Sequence, residues 1–331
     1  MAIIDLAIDF GTSNTTIFQY GTGIVLREPT VIALKKGKSF EVVATGAKAK
    51  RMIGKVSLGY QVISPIRDGV IINTDASIML LKDFLSRILP DSIIRPRMRA
   101  IIGIPCGLSL AERKTYETVL QKSGISDVTI LDAPIALSSF IQSNGIYVDI
   151  GGGVTDVAMV VNESIIDGAS VNIAGEAFNN AITDYLFDKQ NVRIGTGTIE
   201  KIKLEVASLY ENDTTSIDII GRDTDSGASR TFTIYAQEIG SVLTPLIKKI
   251  AKIISSMLAY APPEVSEEML DNGIFLCGAS SALPGLIEQL SSLTNLNVTP
   301  ITDPSVALVS ALGKLCGERE KVAKLLNLKQ I

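Results

Sequence analysis

The chain repeats a short residue pattern 140 positions apart. Residues 4–20 (IDLAIDFGTSNTTIFQY) align without gaps with residues 144–160 (NGIYVDIGGGVTDVAMV). The identities include Asp9 with Asp149, Gly11 with Gly151, and Thr15 with Thr155. Each copy has an apolar strand that ends in an acid, then a Gly/Thr/Ser turn and a second β-rich strand, which is the pattern of a hairpin. The repeat predicts a fold built from a duplicated unit.

Strand and helix patterns alternate after each copy of the repeat. The predicted helices are 75–89, 109–124, 134–142, 198–210, 235–260 and 304–316, and the predicted strands are 99–105, 128–131 and 274–277. Ser109 and Glu112 form a capping box at the start of one helix. Asp303 and Pro304 are the expected N-cap and first residue of another helix. This alternation predicts α/β layers.

Two segments, 33–65 and about 180–240, interrupt the alternation and are interpreted as small insertions. Residues 214–234 read as a hairpin around the turn-rich stretch GRDTDSGASR. The length of 331 residues allows roughly two domains, each large enough for its own core. We therefore expect two α/β domains, each with a small insertion.

Composition excludes several kinds of chemistry. The chain has no histidine, which rules out a Ser-His-Asp triad, a Cys-His dyad and a histidine-ligated zinc site. Cys106, Cys277 and Cys316 are far apart and outside any C-x-x-C pattern, which argues against disulfides and thiolate metal sites. A net charge of −4 argues against nucleic-acid binding, which usually needs a basic face.

The sequence shows no secretion or membrane-spanning signal. Asp5 and Asp9 lie inside the apolar N-terminal run, which has no basic segment before it. Glycine or proline interrupts every uncharged stretch before it reaches the ~18 apolar residues of a membrane span. We therefore expect a cytoplasmic protein.

The two glycine-rich hairpins suit a clamp for a nucleoside triphosphate. Glycine turns let backbone N–H groups approach phosphate oxygens closely. Hydroxyl donors in the turns are Thr12, Ser13, Thr15 and Thr155. Asp9 and Asp149 are expected to hold Mg²⁺ through water, because this ion keeps several of its waters. The alternative is a pair of ordinary hairpins; neither a Walker A nor a Rossmann pattern is present.

A third small-residue turn follows the predicted strand 274–277. Its residues are Gly278, Ala279, Ser280 and Ser281, with Pro284, Gly285 and an apolar helix after them. Such a strand-to-helix turn admits a ligand against the backbone and offers the N–H groups of a helix start. The alternative is an ordinary tight turn between a strand and a helix.

These motifs, in this order, resemble those of the actin, heat-shock chaperone and sugar kinase superfamily, and most closely those of the MreB family of bacterial actin homologues. The matching stretches are IDFGTSNT, GIVLREPTVIA, PIRDGVI, RPRMRAIIGIP, DIGGGVTDVA, TIEKIKLEVAS, APPE and GIFLCGASSALPGL. They span almost the whole chain. The resemblance implies an α/β fold of two duplicated actin-like (ribonuclease H-like) domains around a nucleotide cleft.

The resemblance also implies four subdomains. Their expected bounds are 1–32, 66–143 and 313–331 for subdomain IA, 33–65 for IB, 144–180 and 241–312 for IIA, and 181–240 for IIB. It implies ATP or ADP with Mg²⁺ between the halves and head-to-tail assembly into filaments, with paired protofilaments and further MreB paralogues as partners.

A different reading within the superfamily is a small-metabolite kinase, although no base for an acceptor hydroxyl stands out. A chaperone would need a substrate-binding domain after the ATPase-like region.

The family's nucleotide contacts carry over position by position. Matches to the first phosphate loop are Gly11, Thr12, Ser13 and Asn14, and matches to the second are Gly151, Gly152 and Gly153. Gly175 matches the turn before a helix near the phosphates, and Glu200 and Lys203 match the nucleoside contacts. The alternative for Glu200 and Lys203 is a solvated ion pair. In the adenosine turn, Ala279 and Ser280 replace family glycines, which is expected to shift affinity.

Departures from the family fall on the residues that position the attacking water. The family usually has Glu-Glu-Pro where this chain has Asp132-Ala133-Pro134, and Thr where it has Val154. Methyl groups neither accept a proton nor orient water, and losing such a group commonly costs ~10²–10⁴-fold in rate. Asp132 is one residue away, and Asp156 matches the family's last Glu and is a partial substitute. We expect ATP binding with slow hydrolysis or phosphate release.

One apolar loop is a candidate for membrane contact. Ile88, Leu89, Ile93 and Ile94 surround Pro90, with arginines on both sides. Aliphatic residues beside cations suit the headgroup region of a membrane's inner leaflet. The alternative is a buried helix end.

Overall fold

The two copies of the repeat form the first strands of two separate five-stranded sheets. The computed structural model describes residues 3–37, 39–89 and 96–327. The strands of the first sheet are β1 (Ile3–Phe10), β2 (Asn14–Gln19), β3 (Gly23–Pro29), β9 (Arg97–Ile104) and β10 (Asp127–Asp132). Those of the second sheet are β11 (Gly145–Ile150), β12 (Thr155–Val161), β13 (Ser164–Val171), β17 (Ile274–Cys277) and β18 (Val298–Pro300).

Both sheets have the same topology. Their orders are β10-β9-β1-β2-β3 and, read in the matching direction, β18-β17-β11-β12-β13. In the first sheet β1, β2 and β3 pair antiparallel, and β9 and β10 add beside β1 as parallel strands. In the second sheet β11, β12 and β13 pair antiparallel, and β17 and β18 add beside β11 as parallel strands. Asp9 lies opposite Thr16, and Asp149 lies opposite Asp156. Residues 140 positions apart in the sequence therefore occupy equivalent places in the two hairpins.

A smaller sheet accompanies each large one. In the first half, β4 (Ile32–Lys35) lies between β5 (Glu41–Thr45) and β6 (Tyr60–Ile63). In the second half, β15 (Ser216–Asp223) lies between β14 (Val192–Arg193) and β16 (Ser229–Tyr235). The two-stranded hairpin of β7 (Ile66–Arg67) and β8 (Val70–Ile71) completes the strands of the described residues. The first large sheet, its helices and the small sheet β5-β4-β6 are called the first lobe. The second large sheet, its helices and the small sheet β14-β15-β16 are called the second lobe.

Helices cover the large sheets. They are α1 (Gly46–Lys50), α2 (Thr74–Ile88), α3 (Leu110–Lys122), α4 (Ala133–Ile141), α5 (Gly175–Gln190), α6 (Thr196–Glu205), α7 (Ala236–Tyr260), α8 (Pro263–Asn272), α9 (Leu286–Thr294), α10 (Ala307–Leu315) and α11 (Arg319–Asn327). Two short 3-10 helices are Ala279–Ala282 and Pro304–Val306. The capping box at the start of α3 is present, with the Ser109 hydroxyl accepting from the Glu112 N–H.

Two predicted helix bounds are wrong. The helix predicted over 198–210 runs from Thr196 to Glu205, because Val206 leaves the helical conformation at φ −125°. The helix predicted from Pro304 begins at Ala307, and Asp303 makes no side-chain cap. The Pro304 carbonyl instead accepts the Gly278 N–H at 3.0 Å, which holds this segment against the third turn.

Three apolar clusters fix the lobes. One fills the first lobe between its sheet and α2 and α3, and a larger one fills the second lobe around α5 and α7. The third joins the lobes, because it contains Ile101 of the first sheet, Tyr147 of the second sheet, and Leu137 and Leu312 of α4 and α10. The lobes therefore share a common core behind the cleft that separates them.

The predicted membrane loop is only partly described. Ile88 and Leu89 are half-buried and pack against the core of the first lobe, which favours the alternative of a buried helix end for these two residues. Ile93 and Ile94 lie outside the described residues. Among the described residues, no helix is both long and apolar enough to span a bilayer.

Candidate functional site

A cleft of about 890 Å³ lies between the two lobes. The cleft lies at the carboxyl ends of the central strands of both sheets. Residues from these strand ends line it: Asp9 of β1, Gly103 of β9, Asp149 of β11, and Gly278 just after β17. Ligands of open α/β sheets bind outside these strand ends. The duplicated topology brings two such ends together in one cleft.

The two glycine loops have equivalent geometry. In the first, the Gly11 N–H donates to the Asn14 carbonyl at 3.1 Å, and in the second the Gly151 N–H donates to the Val154 carbonyl at 3.0 Å. The loops face each other closely, because a Cβ at Gly152 would overlap the Ser13 hydroxyl and one at Gly153 would overlap Thr12. Only glycine fits at these two positions of the second loop.

A third turn closes the cleft beside the second loop. Gly278 has a φ of +91°, and a Cβ there would overlap the Ile150 carbonyl. The Ser280 hydroxyl, which replaces a family glycine, donates to the Gly151 carbonyl at 2.8 Å. This added bond ties the third turn to the second phosphate loop.

The start of α5 lies behind the second loop. The Gly175 N–H donates to the Gly151 carbonyl at 3.2 Å, and the Glu176 N–H donates to the Gly152 carbonyl at 2.7 Å. Lys203 of α6 donates to the Gly175 carbonyl at 3.2 Å. The second loop is therefore held by the N-terminus of a helix, whose dipole favours negative charge.

Three carboxyl groups line the base of the cleft. Burial raises the pKa of Asp9 to about 6, although the nearby Arg27 charge lowers it. Burial raises the pKa of Asp149 to about 8, with further increases from the charges of Asp156 and Asp9. Burial also raises the pKa of Asp156 to about 6, opposed by a hydrogen bond from Ser170. A cation bound here would relieve the repulsion among these groups.

These acids suit a hydrated cation rather than a fully protein-ligated one. Among the described residues, no three His, Cys, Asp or Glu side chains are grouped so as to hold a metal ion. Asp9 and Asp149 are two carboxylates at the strand ends next to both phosphate loops. Mg²⁺ usually binds through one or two carboxylates together with waters and substrate phosphates. The residues present therefore fit Mg²⁺ that arrives with a phosphorylated ligand.

The water-positioning residues are placed unequally. Ala133, Val154 and Asp156 line the cleft. Asp132, however, is buried and forms an ion pair with Arg113 of α3. That pair engages its carboxylate with a lobe helix, and Asp132 is not among the residues that line the cleft. The Asp156 carboxylate accepts a hydrogen bond from the Ser170 hydroxyl.

Most of the predicted nucleotide contacts share this cleft. The residues that line it are Gly11, Thr12, Ser13, Asn14, Gly151, Gly152, Gly153, Gly175, Glu200, Lys203, Gly278, Ala279 and Ser280. Thr155 and Ser281 are not among the lining residues. Their hydroxyls donate to the backbone carbonyls of Ile173 and Gly278, at 2.5 and 2.7 Å, so they brace the turns.

Sequence reasoning missed several residues of the site. Lys50 of α1 lines the cleft and forms an ion pair with Glu200 of α6 at 2.9 Å. Gly69, at the tip of the β7–β8 hairpin, donates its N–H to the Thr12 hydroxyl at 3.0 Å and accepts from Tyr116. The Asp-Gly pair in PIRDGVI signals this tight turn. The contact between Lys50 and Glu200 could not be predicted, because the two residues are 150 positions apart and no sequence pattern links them.

The comparisons with known proteins agree with this architecture. The MreB5 protein of Spiroplasma citri, in a crystal structure bound to AMPPNP, matches with a TM-score of 0.90 and 26% identity over 98% of this chain and 99% of that one. The MamK double helical filament matches with a TM-score of 0.79 at 19% identity, covering 95% of this chain and 99% of that one. The fold and its cleft thus define an actin-like protein.

The family is equally clear from the sequence. The model of the MreB/Mbl protein family matches residues 3–324. The cell shape-determining protein MreB of Escherichia coli K12 is 32% identical over 94% of this chain and 92% of its own length. The cell shape-determining protein Mbl of Bacillus subtilis is 31% identical over 97% of this chain and 98% of its own. The chain belongs to the MreB/Mbl family.

Proposed function

We propose that the chain binds ATP and ADP, with Mg²⁺, in the cleft between its lobes. The observation that carries this proposal is the pair of equivalent glycine loops that face each other there, each preceded by a half-buried acid whose pKa is raised. The MreB5 structures bound to AMPPNP and to ADP support it. Bound Mg²⁺ would neutralise phosphate charge, and Asp9 and Asp149 would hold it through water.

Titration calorimetry with ATP and ADP in excess Mg²⁺ tests nucleotide binding. We expect binding to the wild-type chain and none to Gly152→Val, because its side chain would overlap Ser13 in the opposite loop. A Gly37→Val variant is the matched control, since Gly37 is exposed, does not line the cleft, and a Cβ there would meet only the Ser39 carbonyl, at 3.3 Å. Absence of heat with the wild-type chain would overturn the proposal.

The second part of the proposal is assembly: nucleotide-bound chains join head to tail into filaments of paired protofilaments and help determine cell shape. Membership of the MreB/Mbl family supports this role and gives no support to the small-metabolite kinase. Negative-stain electron microscopy with ATP, ADP and AMPPNP tests it. Filaments that depend on nucleotide are expected, whereas monomers under every condition would contradict the proposal.

The subdomain division follows the same reasoning. We propose subdomain IA as 1–32, 66–143 and 313–331, IB as 33–65, IIA as 144–180 and 241–312, and IIB as 181–240. The two small sheets, β5-β4-β6 and β14-β15-β16, support IB and IIB as separate units. Limited proteolysis tests the division, with first cuts expected in the exposed turns of IB and IIB, at 53–59 and 224–228, because both ends of IIB fall inside α5 and α7.

Further contacts belong to the same proposal. We place the chain in the cytoplasm, with other MreB paralogues as candidate partners and a peripheral contact to the inner leaflet through Ile93 and Ile94. The arginines on both sides of these two residues in the sequence support such a contact. Co-sedimentation with anionic vesicles, compared between the wild-type chain and Ile93→Ser/Ile94→Ser, tests it; equal pelleting would contradict it.

Slow hydrolysis is the third part of the proposal. Ala133 and Val154 line the cleft where family members carry a glutamate and a threonine. Asp156 remains at the cleft base, but its carboxylate is engaged by the Ser170 hydroxyl. Neither alanine nor valine orients a water molecule. We therefore expect ATP to persist in the cleft for many times longer than in relatives with both groups.

Restoring the two polar residues tests this part. The Ala133→Glu/Val154→Thr variant is expected to release phosphate about 10²-fold faster than the wild-type chain, since positioned groups contribute this much or more. The apolar pair Ala133→Leu/Val154→Ile controls for added bulk at a buried position. If neither variant folds, Val154→Thr alone carries the test. An unchanged rate of phosphate release in a folded variant that binds ATP would contradict slow hydrolysis.

A further inference from the structure

The mouth of the cleft is bridged by an ion pair between the lobes. The Lys50 ammonium lies 2.9 Å from a carboxylate oxygen of Glu200, and both residues line the cleft. Lys50 ends α1 in the first lobe, and Glu200 lies on α6 in the second. The pair therefore joins the small parts of the two lobes across the mouth of the cleft.

Both ends of this bridge are anchored in their own lobe. The start of α1 is fixed by the Ala47 N–H, which donates to the Glu28 carboxylate at 2.8 Å, and Glu28 is paired with Arg87 of α2. α6 is fixed by Ile199 and Ile202, which are buried in the core of the second lobe. Separation of the lobes at the mouth must therefore break the pair rather than carry both residues along.

Glu200 interacts electrostatically with two ammonium groups, those of Lys50 and Lys203. Burial lowers the pKa of Lys203, the Glu200 charge raises it and the Lys50 charge lowers it, which places all three groups in one electrostatic cluster. The Lys203 ammonium donates to the Gly175 carbonyl, so it is tied to the start of α5. A carboxylate has two oxygens. Glu200 therefore has a second oxygen that its contact with Lys50 does not use.

We propose that the Lys50–Glu200 pair is a latch across the cleft mouth that slows the escape of bound nucleotide. The inference rests on the proposed nucleotide site and adds a control on exchange to it. Both side chains are partly exposed, and exposed ion pairs contribute about 0.2–1 kcal/mol. Removing the pair should therefore speed dissociation by about 1.4- to 5-fold.

The test measures dissociation of etheno-ATP, whose ribose hydroxyls are unmodified, during a chase with excess ATP. Lys50→Ala is expected to release the probe about 1.4- to 5-fold faster than the wild-type chain, and Lys50→Glu faster still, because like charges then face each other. Arg51→Ala is the matched control. Arg51 is the next cation along the chain and also lines the cleft, so both variants remove one positive charge near an anionic ligand.

Salt dependence distinguishes a latch from a change in fold. The difference between the wild-type chain and Lys50→Ala should shrink between 50 mM and 500 mM KCl, because salt screens exposed pairs. Lys50→Ala releasing the probe at the wild-type or Arg51→Ala rate would overturn the latch alone. Failure of the wild-type chain to bind etheno-ATP and unlabelled ATP would instead overturn the proposed nucleotide site.

Discussion

Single acids at the base of the cleft are placed where their charged form is disfavoured in the folded chain. Asp149 is the extreme case, because burial and the charges of Asp156 and Asp9 raise its pKa to about 8. A carboxyl whose pKa is higher in the folded chain than in the unfolded chain binds its proton more tightly when folded. Its contribution to stability is therefore present at low pH and is lost as the pH rises from about 4 to about 8.

The Asp149→Asn variant tests this charge. Without nucleotide, we expect the melting temperature of the wild-type chain to fall more steeply between pH 5 and pH 8 than that of the variant. Asp167→Asn, at an exposed acid of the same sheet, removes the same charge and should keep the wild-type slope. Parallel slopes for all three proteins in a fluorescence melting series would refute the argument.

Some residues of the site can be predicted from the sequence, and others cannot. Asp9 and Asp149 could be matched from the repeat alone, because both end a strand before a glycine turn. The Asp132–Arg113 and Lys50–Glu200 pairs could not, since each joins residues on different elements. Such pairs depend on how helices pack, and that information is spread over the whole core.

At the scale of elements, α3 is a helix whose first residue is determined by its own neighbouring side chains. The Ser109 hydroxyl accepts the Glu112 N–H, and the Glu112 carboxylate accepts the Ser109 N–H at 2.8 Å. Hydrogen bonds from Ser109 also lower the pKa of Glu112. Two N–H groups that lack a helical partner are thereby satisfied by two residues three positions apart.

The Ser109→Ala variant removes this cap. We expect it to lower the free energy of unfolding by about 1 kcal/mol, the typical value for a lost N-cap. Ser109→Asn should retain most of the stability, because asparagine is an equally good cap and adds no charge beside the Glu112 carboxylate. Urea titrations of the three proteins measure the difference; a wild-type midpoint for Ser109→Ala would show that the cap contributes nothing.

Other elements show why sequence bounds fail. The strand Ile274–Cys277 was predictable to the residue, since a short apolar run ends at a glycine turn. Residues 206–209 continue an apolar pattern beyond α6 and were predicted to be helical. Val206 and Ala207 are indeed buried, but in irregular backbone. Apolar spacing reports burial, and burial alone does not fix the backbone conformation.

At the scale of the molecule, the third apolar cluster joins the lobes behind the cleft. Leu312 of α10 is fully buried in it, and its neighbours Leu308 and Gly103 link α10 to the first sheet. Tyr147 and Ala158 bring the second sheet to the same cluster. We therefore expect the two lobes to unfold together rather than one after the other.

The Leu312→Ala variant tests this coupling. It should lower the free energy of unfolding by about 2–5 kcal/mol, as large-to-small changes in cores do. The loss should appear in one transition that fluorescence and far-UV circular dichroism report at the same denaturant concentration. Leu290→Ala, in the core of the second lobe alone, is the comparison. Two separate transitions for Leu312→Ala would mean that the lobes are independent.

The position of this shared cluster has a mechanical consequence. A pivot behind the cleft makes each lobe a lever whose far end carries a small sheet, β5-β4-β6 or β14-β15-β16. A rotation of a few degrees displaces atoms beside the pivot very little and displaces the sheet tips most, since displacement grows with distance from the axis. Neighbouring molecules that touched those tips would therefore sense a small rotation of the lobes that residues beside the shared cluster barely register.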